Sequence, residues 1–240
     1  MPENRERLIV ALDVSNASRA REIVAAVGES ASTYKVGKQL FTAEGPQVVR
    51  DLVASGRKVF LDLKFHDIPN TVGKAVAEAV RLGASMLTVH ASGGSRMLRA
   101  ATEAAAETNA PPLVLGVTVL TSLNEEDLKE IGVSDPLVDQ ALRLASLALS
   151  SGCRGIVASA RETSALRREF GTGFAILNPG VRPAGQAADD QARVVTPAEA
   201  IAAGATYLVV GRPITQAANP AAAARAILEE ISLSPVAGRQ

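Results

Sequence analysis

The sequence predicts an α/β fold, a (β/α)8 TIM barrel that forms a single domain. Three observations predict it. The chain has 240 residues, the size expected for eight βα units. Eight short aliphatic runs alternate with Ala-rich segments of helical pattern. The aliphatic runs are continuous, as in parallel strands buried on both faces. An open doubly wound sheet is the alternative, but LDVSNAS follows the first run where a dinucleotide fold needs G-x-G-x-x-G.

The strands and helices follow one another in strict alternation. The predicted strands are LIVALDV from Leu8, YKVGKQL from Tyr34, KVFLDLKF from Lys58, MLTVHA from Met86, PLVLGVTVL from Pro112, GIVASA from Gly155, FAILNPGV from Phe174 and YLVVGRPI from Tyr207. Helical segments between them include AREIVAAVGE, TVGKAVAEAVRLG and PAAAARAILEEI, and several end at Gly. Residues 1–240 are therefore expected to form one domain, with loose termini at 1–7 and 233–240.

Composition restricts the class of protein. Lys plus Arg and Asp plus Glu both total 25, so no global positive field exists to hold nucleic acid. The single cysteine, Cys153, cannot form an internal disulfide, and the start lacks the apolar core of a signal peptide. No apolar segment approaches the roughly 18 residues of a membrane span. We expect a cytoplasmic protein without nucleic-acid or membrane partners.

Polar residues follow the predicted strands where a barrel carries its active site. The carboxyl ends of parallel strands meet at one rim, and barrel enzymes place their chemistry there. The residues at this rim are Asp13, Lys35, Lys38, Asp62, Lys64, Asp67, His90, Thr121, Ser122, Pro179, Arg182, Gly211 and Arg212.

Asp62 and Lys64 give the strongest signal at this rim. Side chains alternate along a strand, so residues two positions apart should lie on the same face of the sheet. The apolar neighbours of Asp62 and Lys64 indicate that this face points into the barrel. Nearby carboxylates favour the protonated form of a lysine, so Lys64 is predicted to be an acid and not a nucleophile. The structural alternative is a buried ion pair that only fixes the strand register.

The last two predicted strands each end with an arginine. Arg182 follows strand seven in GVRP, and Arg212 follows strand eight in VVGRPI beside Gly211. A phosphate clamp at these two strand ends is common in barrel enzymes. Taken alone, each arginine is more often a solvated surface charge.

Metal and cofactor motifs are weak. Two histidines and one cysteine form no dedicated transition-metal cluster, and His66 and His90 are interpreted as structural residues. Gly73-Lys74 resembles the end of a phosphate-binding P-loop, but Ile68 stands where that motif needs glycine.

Several motifs together resemble those of orotidine 5′-phosphate decarboxylases of the bacterial type. They are LDV, YKVGKQLF, LDLKFHDIPNT, GVTVLTS, NPGVRPAG…DDQARVVTP and VVGRPI, in the family's order from about Leu8 to Ile231. The resemblance implies decarboxylation of orotidine 5′-phosphate to UMP, the last step of pyrimidine nucleotide synthesis, without metal, cofactor or covalent intermediate. It also implies a homodimer with shared active sites.

The resemblance also assigns roles to residues. Lys64 would protonate C6, with Asp62 near the departing carboxylate, and Lys35 and Asp67 would complete an alternating charge network. Asp67 would serve the partner subunit's site. The residues implied in substrate binding are Asp13, Lys35, Asp67, Ile68, Thr71, Thr121, Ser122, Arg182, Gln191, Gly211 and Arg212. Gln191 is preferred to Gln186 for the phosphate because it lies in a D-Q-x-R context.

Two other functions are compatible with the same barrel. The nearer is a magnesium-dependent phosphosugar decarboxylase or aldolase, in which carboxylates hold the metal. The other is a non-catalytic nucleotide sensor, which would have no need for an acid between carboxylates.

Overall fold

The protein is a closed barrel of eight parallel strands in the order β1 to β8, as the sequence predicts. The structure, a computed structural model, describes residues 4–183 and 195–233. The strands are β1 (Leu8–Ala11), β2 (Thr33–Gly37), β3 (Lys58–Phe65), β4 (Met86–His90), β5 (Leu113–Val117), β6 (Gly155–Val157), β7 (Ala175–Pro179) and β8 (Tyr207–Val210).

Helices surround the barrel and return the chain between strands. They are α1 (Asn4–Arg7), α2 (Ala17–Val27), α3 (Lys38–Glu44), α4 (Gln47–Ala54), α5 (Pro69–Arg81), α6 (Gly94–Ala106), α7 (Glu125–Glu130), α8 (Leu137–Ser150), α9 (Ala160–Phe170), α10 (Pro197–Ala202), α11 (Arg212–Thr215) and α12 (Pro220–Leu233). The second predicted strand is shorter than YKVGKQL, because helix α3 already begins at Lys38.

The core has two layers that follow from the continuous aliphatic pattern. One layer packs the strands against the helices. The other fills the barrel, and its buried members are Ile9, Ala11, Phe60, Met86, Leu115, Val117, Val157, Leu177 and Val209. Burying one such side chain fully contributes about 1.5–3 kcal/mol to stability. This apolar filling forms a floor beneath the polar carboxyl end of the barrel.

The start of the chain is more ordered than the sequence suggests. Residues 4–7 form helix α1 and are not loose, because Arg7 is buried and its Nη2 donates to the carbonyl oxygen of Ala205 at 2.8 Å. Asn4 also bonds the Ser232 hydroxyl at 3.0 Å. Leu233, also expected to be loose, is the last residue of helix α12. Residues 1–3 and 234–240, the rest of the predicted loose termini, lie outside the described residues.

Candidate active site

A cleft opens at the carboxyl end of the barrel, where the sequence places the polar residues. It consists of two adjoining pockets of about 610 Å³ and about 240 Å³. Both are lined by Lys35 and Asp62, so these two side chains stand where the pockets meet. The larger pocket extends towards β7 and β8, and the smaller one lies over the apolar floor.

Four charged side chains form a row of alternating sign across this cleft. Lys35 Nζ lies 2.7 Å from Asp13 Oδ1 and 3.8 Å from Asp62 Oδ2. Lys64 Nζ donates to both Asp62 oxygens, at 2.8 and 2.9 Å. The side chains of Lys35 and Asp62 are only 10% and 12% exposed. Such buried charges are tolerated only when they are paired and hydrogen-bonded, so the fold fixes their positions.

A glycine makes room for the first pair in this row. At Gly37, the last residue of β2, an added Cβ would lie 2.7 Å from Lys35 Nζ and 3.1 Å from Asp13 Oδ1. Any larger residue would therefore push the ammonium or the carboxylate out of place. The requirement comes from the ion pair that joins Lys35 of β2 to Asp13 after β1, and local sequence does not reveal that pair.

Lys64 lies in an irregular part of β3. The register with β4 pairs Leu61 with Leu87 and then Phe65 with Val89, so three residues of β3 lie opposite the single residue Thr88. Lys64 has a φ of 51°, and within the described part of the chain it is the one non-glycine residue with positive φ. The sequence suggested that regular alternation along the strand brings the Lys64 side chain to Asp62. In the structure, the bulge brings them together.

The larger pocket contains the residues expected to grip a phosphate. Arg182, Gly211 and Arg212 all line it. The Arg182 side chain is buried, which excludes the alternative of a solvated surface charge for this residue. The backbone N–H of Arg182 donates to the carbonyl oxygen of Val195 at 3.1 Å and so fixes the chain after β7. Gln191 and Gln186 lie outside the described residues.

Comparisons with known proteins show the family of this chain. Residues 6–227 match the family described as "Orotidine 5'-phosphate decarboxylase / HUMPS family". The chain belongs to this family. A Syntrophotalea carbinolica protein named orotidine 5′-phosphate decarboxylase is 52% identical over 235 residues, 96% of each chain. A protein of the same name from Sodalis glossinidius is 52% identical over 225 residues, covering 93% of this chain and 89% of the relative.

Solved structures of the family share the fold. The crystal structure of orotidine 5′-phosphate decarboxylase from Lactobacillus acidophilus superposes with a TM-score of 0.84 at 38% identity, covering 94% of this chain and 99% of that one. The enzyme of the same name from Pyrococcus horikoshii superposes with a TM-score of 0.76 at 28% identity, covering 94% and 99%. The resemblance read from the motifs is thereby confirmed.

The structure brings together some of the predicted site residues and separates others. Thr121 and Ser122 line the smaller pocket beside Lys64. Asp67, in contrast, is exposed, and its Oδ1 accepts from the N–H of Ile68 at 2.6 Å. Within residues 4–183 and 195–233, Lys64 pairs with Asp62 and makes no ion pair with Asp67.

Asp67, Ile68 and Thr71 share one exposed segment at the start of α5. Ile68 precedes the helix with 64% of its surface exposed, and Thr71 lies in its first turn. None of the three lines either pocket of the cleft described for this chain. Their roles in substrate binding, including the contribution of Asp67 and Thr71 to the active site of a partner subunit, stay predictions.

His66 and His90 lie against each other beside the charged row. Their ring centroids are 5.3 Å apart. Burial is the largest cause that lowers the pKa of His90 to about 4, and electrostatic interactions with His66, Lys38 and Lys64 add to it. His90 is therefore neutral at pH 7 and adds no cation to the cleft.

The described part of the chain contains neither a cluster of metal-binding side chains nor a helix that could span a membrane. Across residues 4–183 and 195–233, no three His, Cys, Asp or Glu side chains are grouped to hold a metal ion. No described helix has the length and apolar character needed to cross a membrane.

Proposed function

We propose that the protein converts orotidine 5′-phosphate to UMP and carbon dioxide, with Lys64 as the general acid and without metal or cofactor. The observation that carries the proposal is the Lys64 ammonium, held by both oxygens of a largely buried Asp62 where two pockets meet. The relatives named orotidine 5′-phosphate decarboxylase support the same reaction.

The charged row suits the demands of this decarboxylation. When the bond between C6 and the carboxylate carbon breaks, its electron pair stays on C6, and the pyrimidine ring delocalises it poorly. An ammonium already fixed beside C6 stabilises that charge with little reorganisation, and such preorganised electrostatics are a large part of enzymatic rate enhancement. Lys64 then transfers a proton from Nζ to C6 and regains one from water. Positioned acids contribute about 10²–10⁴-fold to the rate.

Asp62 has a second effect on the substrate. Bound beside Asp62, the substrate carboxylate meets a like charge, which favours its departure. Ground-state destabilisation of this kind is a contested mechanism, and the stabilisation of the carbanion by Lys64 is the main effect proposed. Asp62 acts chiefly by holding the Lys64 ammonium in place.

The larger pocket supplies binding energy at a distance from the reacting carbon. Arg182, Arg212 and the Gly211 backbone would hold the phosphate, and Asp13 and Lys35 would meet the ribose hydroxyls. Energy from such remote contacts can be used to orient the ring at the reacting centre. Phosphate contacts are therefore expected to affect the transition state as well as affinity.

The proposal includes a homodimer in the cytoplasm. The exposed segment with Asp67, Ile68 and Thr71 supports an interface there, because two polar groups and a large apolar one face outward beside the cleft. Sedimentation of the purified protein tests this part: a stable monomer at micromolar concentration, fully active, would contradict it.

The function is tested with a substrate panel. Purified protein in excess EDTA is mixed with orotidine 5′-phosphate, the ultraviolet absorbance is followed, and UMP is identified as product. The same protein is offered hexulose and keto-acid sugar phosphates with magnesium. We expect conversion of the nucleotide alone, unaffected by EDTA. Turnover only of sugar phosphates, or loss of activity in EDTA, would favour the magnesium-dependent alternative.

A further inference from the structure

We propose that Thr88 is a positioning residue for the reaction, fixing both the backbone of Lys64 and the carboxylate that holds its ammonium. Thr88 lies on β4, opposite the bulge of β3, and is fully buried. This inference rests on the proposed function, because it concerns the residue assigned there as the acid.

The hydroxyl of Thr88 makes two hydrogen bonds with the charged row. It accepts from the backbone N–H of Lys64 at 2.9 Å. It donates to Asp62 Oδ1 at 2.9 Å. The same Oδ1 also accepts from Lys64 Nζ at 2.8 Å. These three hydrogen bonds form a closed ring. It runs from the backbone nitrogen of Lys64 through the Thr88 hydroxyl and Asp62 Oδ1 to the ammonium of the same lysine.

The Lys64 backbone needs such a contact. Its φ of 51° lies in the left-handed region, which is unfavourable for a residue with a side chain and persists only where the surroundings hold it. The bulge also removes the Lys64 N–H from the regular ladder with β4, and the Thr88 hydroxyl takes the place of a ladder acceptor. One buried oxygen atom therefore stabilises the strained conformation.

The second hydrogen bond orients Asp62. A carboxylate can rotate about its last bond, and both of its oxygens must face Lys64 Nζ to give the observed distances of 2.8 and 2.9 Å. The Thr88 hydroxyl already accepts the Lys64 N–H on one lone pair, so its own proton points away from that N–H and towards Asp62 Oδ1. This bond fixes the orientation of the carboxylate. Misplacing a reacting group by about 1 Å can cost about 100-fold in rate.

Three variants separate positioning from simple packing. Thr88→Val keeps the shape and removes the hydroxyl, and Thr88→Ser restores the hydroxyl. Thr118→Val is the matched control, because Thr118 is also a buried threonine with a hydrogen-bonded hydroxyl. It follows the last residue of β5, and its hydroxyl donates to the Val157 carbonyl oxygen at 3.0 Å. Thr118 does not line the cleft.

Steady-state kinetics with orotidine 5′-phosphate give the first readout. We expect Thr88→Val to lower kcat at least about tenfold while KM changes less than about threefold, since the pockets keep their lining. Thr88→Ser should return to within about threefold of the unaltered protein, and Thr118→Val should stay within about twofold. A folded Thr88→Val with unchanged kcat, or a Thr88→Ser as slow as Thr88→Val, would overturn the proposal. Should Thr88→Val not fold, Thr88→Ala paired with Thr118→Ala replaces it.

Crystal structures of the same variants give a readout that does not depend on activity. In Thr88→Val we expect Lys64 to leave its positive φ, or Nζ to move away from Asp62. If the unaltered protein did not convert orotidine 5′-phosphate, the proposed function would fail while this comparison still decided the role of Thr88. Unchanged Lys64 and Asp62 geometry in Thr88→Val would refute it.

Discussion

Strand β3 carries a lysine at each end, and the two lysines make ion pairs of equal length in different surroundings. At the amino end, Lys58 Nζ lies 2.8 Å from Glu6 Oε1, and the side chains are 54% and 38% exposed. At the carboxyl end, Lys64 Nζ lies 2.8 Å from Asp62 Oδ1, and the side chains are 24% and 12% exposed. The distance is the same, so burial and neighbours must account for any difference in function.

The surroundings of the two pairs differ in the features that matter for catalysis. Water and salt screen the exposed pair, which contributes about 0–1 kcal/mol to stability. The buried pair is joined to Lys35, Asp13 and Thr88 and faces a cleft. Low local polarity strengthens every interaction that such a pair makes with a bound substrate. An ion pair is thus a candidate for catalysis because of its setting and not its length.

The largest expected effect is the loss of activity when Lys64 is replaced by alanine, with Lys58 replaced in the same way as the control. Lys64→Ala should lower kcat/KM for orotidine 5′-phosphate at least about 100-fold, because the acid and the preorganised charge are both lost. Lys58→Ala should stay within about twofold of the unaltered protein. Steady-state assays measure both. A Lys64→Ala variant that keeps a tenth of the activity would refute the role assigned to Lys64.

Replacing the carboxylate partner of each lysine should lower the stability of the protein by different amounts. Asp62→Asn leaves the Lys64 ammonium in a partly buried site without its counter-charge, whereas Glu6→Gln affects only an exposed pair. We expect Asp62→Asn to lower the free energy of unfolding by about 1–3 kcal/mol more than Glu6→Gln. Urea unfolding measures the difference. Equal losses would mean that burial does not distinguish the two ends of β3.

The phosphate end of the cleft should matter less than Lys64. Arg212→Ala is expected to reduce kcat/KM at least about tenfold, since remote binding energy also orients the ring. The control is Arg225→Ala, which changes an exposed arginine on α12. Catalytic efficiency unchanged by Arg212→Ala would contradict a phosphate site at the end of β8.

The smallest expected effect is a pH dependence of stability from His90. Its pKa falls from 6.5 to about 4 on folding, chiefly through burial, so the unfolded chain binds a proton more readily. The neutral side chain's contribution is fully present above about pH 6.5 and is lost as the pH falls towards 4. His90→Gln should therefore flatten the free energy of unfolding between pH 4 and 6.5. Urea unfolding at several pH values measures this effect. If stability depends on pH in the same way in His90→Gln and in the unaltered protein, the lowered pKa of His90 is contradicted.

The barrel and part of its site follow from local sequence. Continuous aliphatic runs predict parallel strands buried on both faces, and Asp62 and Lys64 are charges where such a run should have none. Thr88 and Gly37 could not be found in this way, because their importance depends on side chains that only the folded barrel brings to them. Thr88 meets Asp62 and the backbone of Lys64 across the strand register, and Gly37 lies under the Lys35–Asp13 pair. Thr88 was visible only as one polar residue within MLTVHA. The register between β3 and β4, with its bulge, is a property of the folded barrel.

The segment with Asp67 shows a further limit of local reasoning. Lys64 lies between Asp62 and Asp67 in the sequence, and the resemblance assigns Asp67 to the partner subunit's site. In the folded chain, helix α5 starts immediately afterwards, and Asp67 instead bonds the N–H of Ile68 at its start. Within the described residues Asp67 makes no ion pair with Lys64, because β3 ends between them, so its assigned role depends on a second copy of the chain and stays a prediction.

The most direct measurement follows the carboxylate and the proton together. Orotidine 5′-phosphate labelled with ¹³C at its carboxylate is incubated in D2O and EDTA with the unaltered protein, with Lys58→Ala and with Lys64→Ala. The proposed reaction predicts equal amounts of labelled carbon dioxide and of UMP with deuterium at C6 from the first two proteins, and little from Lys64→Ala. Label that stays on the nucleotide with the unaltered protein, or equal release by all three, would contradict it.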